Sequence, residues 1–389
     1  MSYSLKFLVM AALLVGLGQS PEAYAQLFGT TGLDPRFCDQ SRFRQTVVYI
    51  DDMMMADGRT AWALKLADKL RSTLAPGERV SVIRLSPATG QSSELWSGCW
   101  PDYGDTERAK IGAQTYLFSK SPLAQLNEQR RFFLQGLDSA LETIYAATKR
   151  SSQSARFSAK NPPTKQILRA LASDEGRFAN SKTTVRAIIY SDLAENSDLG
   201  SAYKPPSNSA PDYGQKLGSY LNRSVFYCFG NGEDVDDDPG FQESARAFWS
   251  AALRSMTATV GGIGADLNVP NTLPVKAYTY AITLSYTGGQ LDGRLSILTN
   301  AEGDLVDSWI GVSRLTPGLL TGTFICKGEG DDVSCRLEAS TFGVVTVVRA
   351  NNESEVVSLA GSGKTGLKGH LGVKGQDTMF DLVAERTDR

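Results

Sequence analysis

Acidic side chains stand directly after two of the most apolar segments of the chain. Asp51 follows TVVYI (46–50), and Asp192 follows AIIYS (187–191). Runs rich in β-branched residues predict buried parallel strands, and open parallel sheets bind ligands at the carboxyl ends of their strands. Thr164 opens a predicted helix between these two positions. We therefore expect Asp51, Asp192 and Thr164 to lie along one edge of a sheet, where ligands of such folds bind.

Other side chains that often do chemistry lack a required partner. His370 is the only histidine, which excludes most zinc sites and any catalytic triad with a second histidine in support. The acidic segment 234–238 lacks the glycine and the glutamate of a calcium-binding EF-hand loop. The segment GSGKT (361–365) has Ser358 where a phosphate-binding loop needs its first glycine. Because no nucleophile, base and orienting group occur together, the sequence favours a binding protein over an enzyme.

Two kinds of pattern divide the chain near residue 265. Before it, apolar strands alternate with helices, which predicts a doubly wound, mostly parallel α/β sheet over 44–264. After a linker over 265–274, short alternating segments predict an all-β antiparallel barrel or sandwich over 275–389. Nine strands are expected in the second domain, the sixth of them over 342–349. In the first domain, a short helix is expected over 164–172. The strands expected in the first domain are 46–50, 79–85, 92–100, 184–190 and 224–229.

The N-terminal residues have the parts of a secretory signal peptide. Lys6 precedes the apolar run Phe7–Gly18, and the segment AYA (23–25) fits the rule for cleavage between small residues. The run is too short to span a bilayer, which takes about 20 residues. We therefore expect a signal peptide over 1–25 that is cleaved near Ala25, and an N-terminal segment over 26–43. The cleaved protein is expected to be periplasmic or secreted, with no transmembrane segment.

The overall charge limits the class of partner. The chain has 40 Lys and Arg residues against 42 Asp and Glu residues, a net charge of −2. A nucleic-acid-binding protein is expected to carry a basic footprint, so nucleic acid is not the expected partner. With 41% hydrophobic and 21% charged residues, the chain has the composition of ordinary globular domains.

Five cysteines in an exported chain permit at most two internal disulfides. Cys38 precedes the first strand, and Cys99 ends a segment that runs back antiparallel to the second strand, so both belong at the amino ends of the parallel strands. Cys326 and Cys335 are equidistant from the centre of a predicted hairpin, which places them opposite each other. We predict disulfides Cys38–Cys99 and Cys326–Cys335, with Cys228 unpaired at the other end of its strand.

Five segments of the first domain have a characteristic order and spacing. They are TVVYIDD (46–52), LRSTLAPGERVSVIRLS (70–86), TKQILRALA (164–172), RAIIYSDLAENS (186–197) and VFYCFG through FQESARAFWSAALRSM (225–256). In this order and spacing they resemble the von Willebrand factor A (vWA) family. The resemblance spans about 44–260 and implies a Rossmann-like α/β fold that recognises another protein at the top face of its sheet.

The resemblance also implies a metal position. The family often holds a divalent metal through a DxSxS motif after the first strand, a threonine in a later loop and an aspartate after the fourth strand. On this chain the motif falls on 51–55, where Met53 and Met55 replace both serines. A thioether is a poor ligand for Mg²⁺. The resemblance therefore implies a degenerate site of Asp51, Thr164 and Asp192 that binds Mg²⁺ or Ca²⁺ weakly at most, and no other cofactor.

The expected function is an exported protein-binding or envelope-assembly module without catalytic machinery. Two alternatives remain open. One is a metal-dependent enzyme that uses Asp51, Asp192 and the acids of 234–238, which an ordered metal with an open water position would favour. The other is a carrier of a small apolar ligand inside the β domain, which requires a sizeable apolar cavity among residues 276–385.

Overall fold

The computed structural model describes most of the chain after residue 31. The predicted signal peptide and all but one residue of the acidic segment 234–238 lie outside the described residues, as do the side chains of 55 and 147–151. Asp57, which the sequence offers with Asp52 as a replacement for the missing metal ligands, lies outside them too. The described residues are 32–40, 43–55, 61–115, 120–151, 162–204, 211–233, 235, 240–313, 315–328, 333–345, 354–373, 375 and 379–387.

A six-stranded sheet forms the centre of the first domain. Its strands are β1 (Arg44–Asp51), β2 (Arg79–Ser86), β3 (Gln91–Cys99), β4 (Thr184–Tyr190), β5 (Ser224–Phe229) and β6 (Thr259–Ile263). They lie in the order β3–β2–β1–β4–β5–β6, and every neighbouring pair is parallel except β2–β3. The mostly parallel sheet predicted from the sequence is therefore confirmed. The sequence does not predict β6, because its residues TVGGI include two glycines and no long apolar run.

Helices cover both faces of this sheet, as doubly wound packing requires. They are α1 (Ala61–Thr73), α2 (Asp105–Gly112), α3 (Pro122–Ser151), α4 (Ile167–Ala172), α5 (Glu175–Ala179), α6 (Tyr213–Leu217) and α7 (Phe241–Ser255). Side chains alternate along β1, so Val48 and Ile50 pack with α1 and α3, while Val47 and Tyr49 pack with α4, α5 and α7. In α1 the buried residues include Trp62, Leu66 and Leu70, whose spacing of four puts them on one face.

The second domain is a closed antiparallel barrel of eight strands. They are β7 (Lys276–Tyr286), β8 (Gly289–Thr299), β9 (Ser308–Val312), β10 (Gly318–Lys327), β11 (Ser334–Phe342), β12 (Ser354–Ser362), β13 (Gly366–Val373) and β14 (Met379–Arg386). Pairing of β9 with β10 and of β14 with β7 closes the barrel. The sixth of the nine predicted strands, over 342–349, is wrong for its described part, because Phe342 ends β11 and residues 343–345 form a bend.

Side chains of the barrel itself fill its interior. Tyr280, Leu295, Leu337, Leu359 and Leu382 belong to one apolar cluster whose buried members are at most 6% exposed. A lumen wide enough for a ligand would leave such side chains accessible to water. An eight-stranded barrel is just wide enough to be packed in this way. The packing argues against the apolar-ligand carrier.

The barrel packs against the amino ends of the parallel strands. Arg44, the first residue of β1, forms ion pairs with Asp307 of the barrel and, at 2.9 Å, with Glu78. Thr184, the first residue of β4, lies 2.9 Å from Ser296 Oγ and accepts a hydrogen bond from Trp309 Nε1 at 3.1 Å. The carboxyl ends of the strands, which we call the top edge, therefore face away from the barrel.

Both predicted disulfides are confirmed. Cys38 is bonded to Cys99 and Cys326 to Cys335, and Cys228 is a buried free thiol whose pKa is raised to about 12 by burial. The pairing follows from topology, since Cys99 lies opposite Arg79 at the start of β2. Within the described residues, no helix combines the length and the apolar character needed to cross a bilayer.

Candidate functional site

A buried lysine joins the two aspartates predicted at the top edge. Lys165 Nζ lies 3.0 Å from Asp51 Oδ2 and 2.7 Å from Asp192 Oδ1, and all three side chains are at most 1% exposed. Asp51 ends β1, and Asp192 follows β4 by two residues. The strand order reverses between β1 and β4, and doubly wound sheets bind ligands at that switch point. Both aspartates lie at the edge of the sheet where the apolar strands before them predict, but no sequence pattern indicates the cation between them.

Thr164 does not join this cluster. It is exposed, and α4 begins at Ile167 instead of at the predicted residue 164. Residues 162–164 form no helix because the residue before a proline disfavours the helical conformation and because the chain pairs with another loop at Lys165. The backbone N–H groups of Lys165 and Asn196 each donate to the carbonyl of the other at 3.0 Å. This two-way bridge fixes the backbone of Lys165, the residue after Thr164, so that the lysine side chain and not the threonine reaches the aspartates.

Protein groups also bind the oxygens of both carboxylates. Asp51 accepts hydrogen bonds from the Met53 N–H on Oδ1 at 2.9 Å and from Ser191 Oγ on Oδ2 at 2.8 Å. Asp192 Oδ1 accepts from the Ala194 N–H at 3.0 Å. Buried charges persist when they are paired and hydrogen-bonded in this way. The cluster is therefore a satisfied ionic network within the protein.

The ionisation of the cluster follows from burial and charge. Burial raises the pKa of Asp51 to about 6, against the opposing effect of Lys165. Burial alone lowers the pKa of Lys165, but the attraction of Asp192 and Asp51 outweighs it and raises that pKa above its ordinary value. Lys165 consequently stays charged near neutral pH, and a charged ammonium cannot accept the proton of Ser191. Ser191 and Lys165 therefore do not form a serine–lysine catalytic pair.

The residues present do not fit the divalent metal that the resemblance implies. The ammonium of Lys165 lies between the two carboxylates, and Thr164 is exposed. Asp52 binds Arg84 at 2.7 Å and Ser86 at 2.8 Å, so it is not a replacement ligand. Among the residues that the structure describes, no three His, Cys, Asp or Glu side chains are grouped to hold a metal ion.

A cleft opens at the top edge, at the ends of β4 and β5. Its volume is about 430 Å³, and its lining includes Trp62, Tyr190 and Phe229. The rings of Trp62 and Tyr190 stack with centroids 4.2 Å apart. Lys65 and Glu233 are among the charged residues of the lining, and Tyr190 Oη donates to Glu233 Oε2 at 2.9 Å. The lining of the cleft thus combines aromatic residues with charges of both signs.

A second buried acid anchors the loop that carries Asp192. Glu195 Oε2 accepts a hydrogen bond from the Leu168 N–H at 2.9 Å, and Oε1 accepts one from Ser197 Oγ at 2.6 Å. Burial raises the pKa of Glu195 to about 7, although these hydrogen bonds act in the opposite direction. The unfolded chain has a carboxyl of ordinary pKa near 4.5 at this position. Glu195 therefore stabilises the fold below pH 4.5, and this contribution is lost as the pH rises through 7.

Replacing Glu195 by Gln should remove this pH dependence. Between pH 4.5 and 8, the free energy of unfolding of the wild type should fall by about 3 kcal/mol relative to Glu195→Gln. The amide keeps an acceptor for Leu168, and Asp51 titrates in both proteins, so its effect cancels in the difference. Urea unfolding at several pH values measures it. Parallel pH profiles for the two proteins would contradict the assignment.

Comparisons with known proteins give only distant structural matches. No family model and no curated protein matches the sequence. Among solved structures, the ArnB paralog VWA2 from Sulfolobus acidocaldarius is 12% identical with a TM-score of 0.29, and the match covers 82% of this chain and 64% of that protein. The human COPII-coat protein Sec24c is 10% identical with a TM-score of 0.31, and coverage is 91% and 45%. The chain spans less than two thirds of either protein, and such scores carry no argument about function.

Proposed function

We propose that this protein is an exported, vWA-like protein-binding or envelope-assembly module that binds another protein through its top edge. The observation that carries the proposal is the cleft at the ends of β4 and β5, on the edge that faces away from the barrel. Aromatic residues are enriched in the central part of protein–protein interfaces, and charged residues belong to the polar rim around it. The vWA resemblance of 44–260 supports the same mode of recognition.

Export is supported by chemistry as well as by the N-terminal sequence. Two disulfides link Cys38 to Cys99 and Cys326 to Cys335. Disulfides persist in oxidising compartments such as the periplasm or the outside of the cell. We therefore propose that residues 1–25 are removed and that the remaining chain works there.

The enzyme alternative receives no support from the geometry. Its two central acids, Asp51 and Asp192, are bound by Lys165, which stays charged near neutral pH and so is not a base for Ser191. A catalytic site needs a nucleophile or metal with an open position, together with a base and its orienting group. We therefore assign recognition to the top edge and do not propose a reaction.

Replacing Leu64 by Glu should weaken partner binding about tenfold or more without loss of stability. Leu64 lies in α1 three residues after the cleft-lining Ala61, so the two are neighbours on the helix surface, and it is 70% exposed. A charge there alters the rim of the cleft and leaves the core intact. The measurement is binding of the purified protein to partners captured from the native envelope fraction. A photo-crosslinking residue at position 64 identifies the protein that touches this rim.

Met379→Glu is the matched control. Met379 is also an exposed apolar residue, at 64%, but it lies on the barrel. The proposal expects full binding by Met379→Glu and no crosslink from position 379. Equal loss of binding in both variants, or crosslinks from position 379 alone, would move the partner site to the barrel and reject the top edge.

A further inference from the structure

We propose that Lys165 is a built-in cation that replaces a divalent metal at the switch point of the sheet, so that its removal opens a divalent-cation site. The inference does not depend on the identity of any partner protein. It concerns Lys165, Asp51, Asp192 and Ser191, which we call the lysine cluster.

The ammonium and a metal ion compete for the same space. Lys165 Nζ lies 3.0 and 2.7 Å from carboxylate oxygens of Asp51 and Asp192. Mg²⁺ binds oxygen ligands at about 2.0–2.1 Å and Ca²⁺ at about 2.3–2.6 Å. An ion bound by the same two oxygens would therefore overlap the ammonium. The wild-type cluster holds one cation, and that cation belongs to the chain.

Backbone contacts place Lys165 before any ligand arrives. Its N–H and C=O groups both pair with Asn196, and Asn196 Nδ2 donates to the carbonyls of Pro162 and Pro163 at 3.1 and 3.0 Å. The N–H of the next residue, Gln166, donates to the Pro87 carbonyl at 2.9 Å. These bonds do not involve the lysine side chain, so shortening it leaves the loop and both aspartates in position.

Oxygen atoms remain around the vacated point when the side chain is shortened. Asp51 Oδ2 and Asp192 Oδ1 both contact the ammonium, and Ser191 Oγ lies 2.8 Å from that Asp51 oxygen. Hard divalent cations prefer carboxylate and hydroxyl oxygens, and water completes their coordination. Arg84 pairs with the nearby Asp52 and is not available to Asp51 and Asp192. Without the lysine ammonium, these two carboxylates need another cation to balance their charge. Mg²⁺, Mn²⁺ or Ca²⁺ meets that requirement.

The test is the thermal stability of Lys165→Ala in EDTA and in millimolar Mg²⁺, Mn²⁺ or Ca²⁺. Loss of one partner from a buried ion pair should lower the melting temperature by roughly 10 °C in EDTA. At least one of the three cations should restore most of that loss. Wild-type protein should show no cation-dependent change, because Lys165 fills the site.

Two further variants separate a cation site from general salt effects. Lys165→Met removes the charge but keeps a side chain that reaches nearly as far and still obstructs the cation position, so it should be destabilised and should not be rescued by cations. Adding Asp192→Asn to Lys165→Ala should abolish the rescue. If Lys165→Ala responds to none of the cations, or responds no more than Lys165→Met, the proposal is overturned.

Wild-type protein provides a measurement that does not depend on whether Lys165→Ala folds. Titration with Mn²⁺, followed by electron paramagnetic resonance of the free ion, should detect no saturable site that depends on Asp51. A saturable wild-type site that disappears in Asp51→Asn would show that a metal and not Lys165 belongs at the switch point. The absence of such a site together with cation rescue of Lys165→Ala supports the replacement.

Discussion

Asp307→Asn should lower the free energy of unfolding by about 3–5 kcal/mol, because it leaves buried arginine charge without its partner. Asp307 lies at the contact between the barrel and the α/β sheet. It pairs with Arg44 and accepts a hydrogen bond from Tyr227 Oη at 2.6 Å. Asn keeps the shape of the side chain and tolerates the left-handed backbone at this position, where φ is 48°. The exchange therefore tests charge and not packing.

The network around Asp307 explains the size of this effect. Glu78 binds Arg44 at 2.9 Å and Arg186 at 3.3 Å, and the side chains of all three are fully buried. Burial is the main cause that lowers the pKa of Arg186, and the charge of Arg44 is the second; together they bring it to about 10. Both arginines therefore stay charged near neutral pH. Two buried cations are balanced by two buried carboxylates. Removing one carboxylate leaves a net positive charge in a low-dielectric interior.

Calorimetry and urea unfolding test the prediction. We expect the wild type to unfold in one transition, because the network joins the two domains, and Asp307→Asn to unfold in two. Arg44→Met combined with Asp307→Asn restores the charge balance, so the double variant should lose less stability than the sum of the single variants. Asp68→Asn is the control, because Asp68 pairs with Arg71 on the surface and should cost less than about 0.5 kcal/mol. Additive losses would contradict a coupled network.

Removing the Cys38–Cys99 disulfide should lower the free energy of unfolding by about 4 kcal/mol. This bond joins residues 61 positions apart and so restricts a long loop of the unfolded chain. The Cys326–Cys335 bond spans 9 positions within one hairpin, and its removal should cost about 2.5 kcal/mol on the same entropic account. Cys38 lies in the N-terminal segment, and Cys99 contacts the buried Phe37 and Leu126, so this bond also anchors that segment to the sheet.

Double Cys→Ala variants of each pair, compared by urea unfolding, measure the two contributions. Alanine is preferred to serine because Cys99 and Cys335 are both 1% exposed and a buried hydroxyl would add its own cost. Cys228 stays in place in both variants. The two losses of unfolding free energy are compared. A larger loss for the Cys326–Cys335 pair would show that the entropy of the unfolded chain does not determine how much each disulfide stabilises the protein.

The sequence alone was sufficient for features that local pattern controls. The apolar runs that include 46–50, 184–190 and 224–229 form parallel strands, because β-branched residues fit a buried sheet. The disulfides followed from strand direction and hairpin symmetry. The barrel domain was predicted as a barrel or sandwich, since the alternation of its strands is common to both. Pairing of β9 with β10, which closes the barrel, depends on three-dimensional proximity that alternation does not encode.

Only the tertiary structure decided how the buried charges are paired. Lys165 lies 114 positions from Asp51, and Arg44 lies 263 positions from Asp307. No spacing rule joins residues so far apart, and a lysine after two prolines is ordinarily predicted to be a solvated loop residue. Its burial follows from the Asn196 bridge and from the need of two buried aspartates for a cation. The sequence determined where the carboxylates lie along the sheet, and the packing of loops around them determined that a lysine holds them.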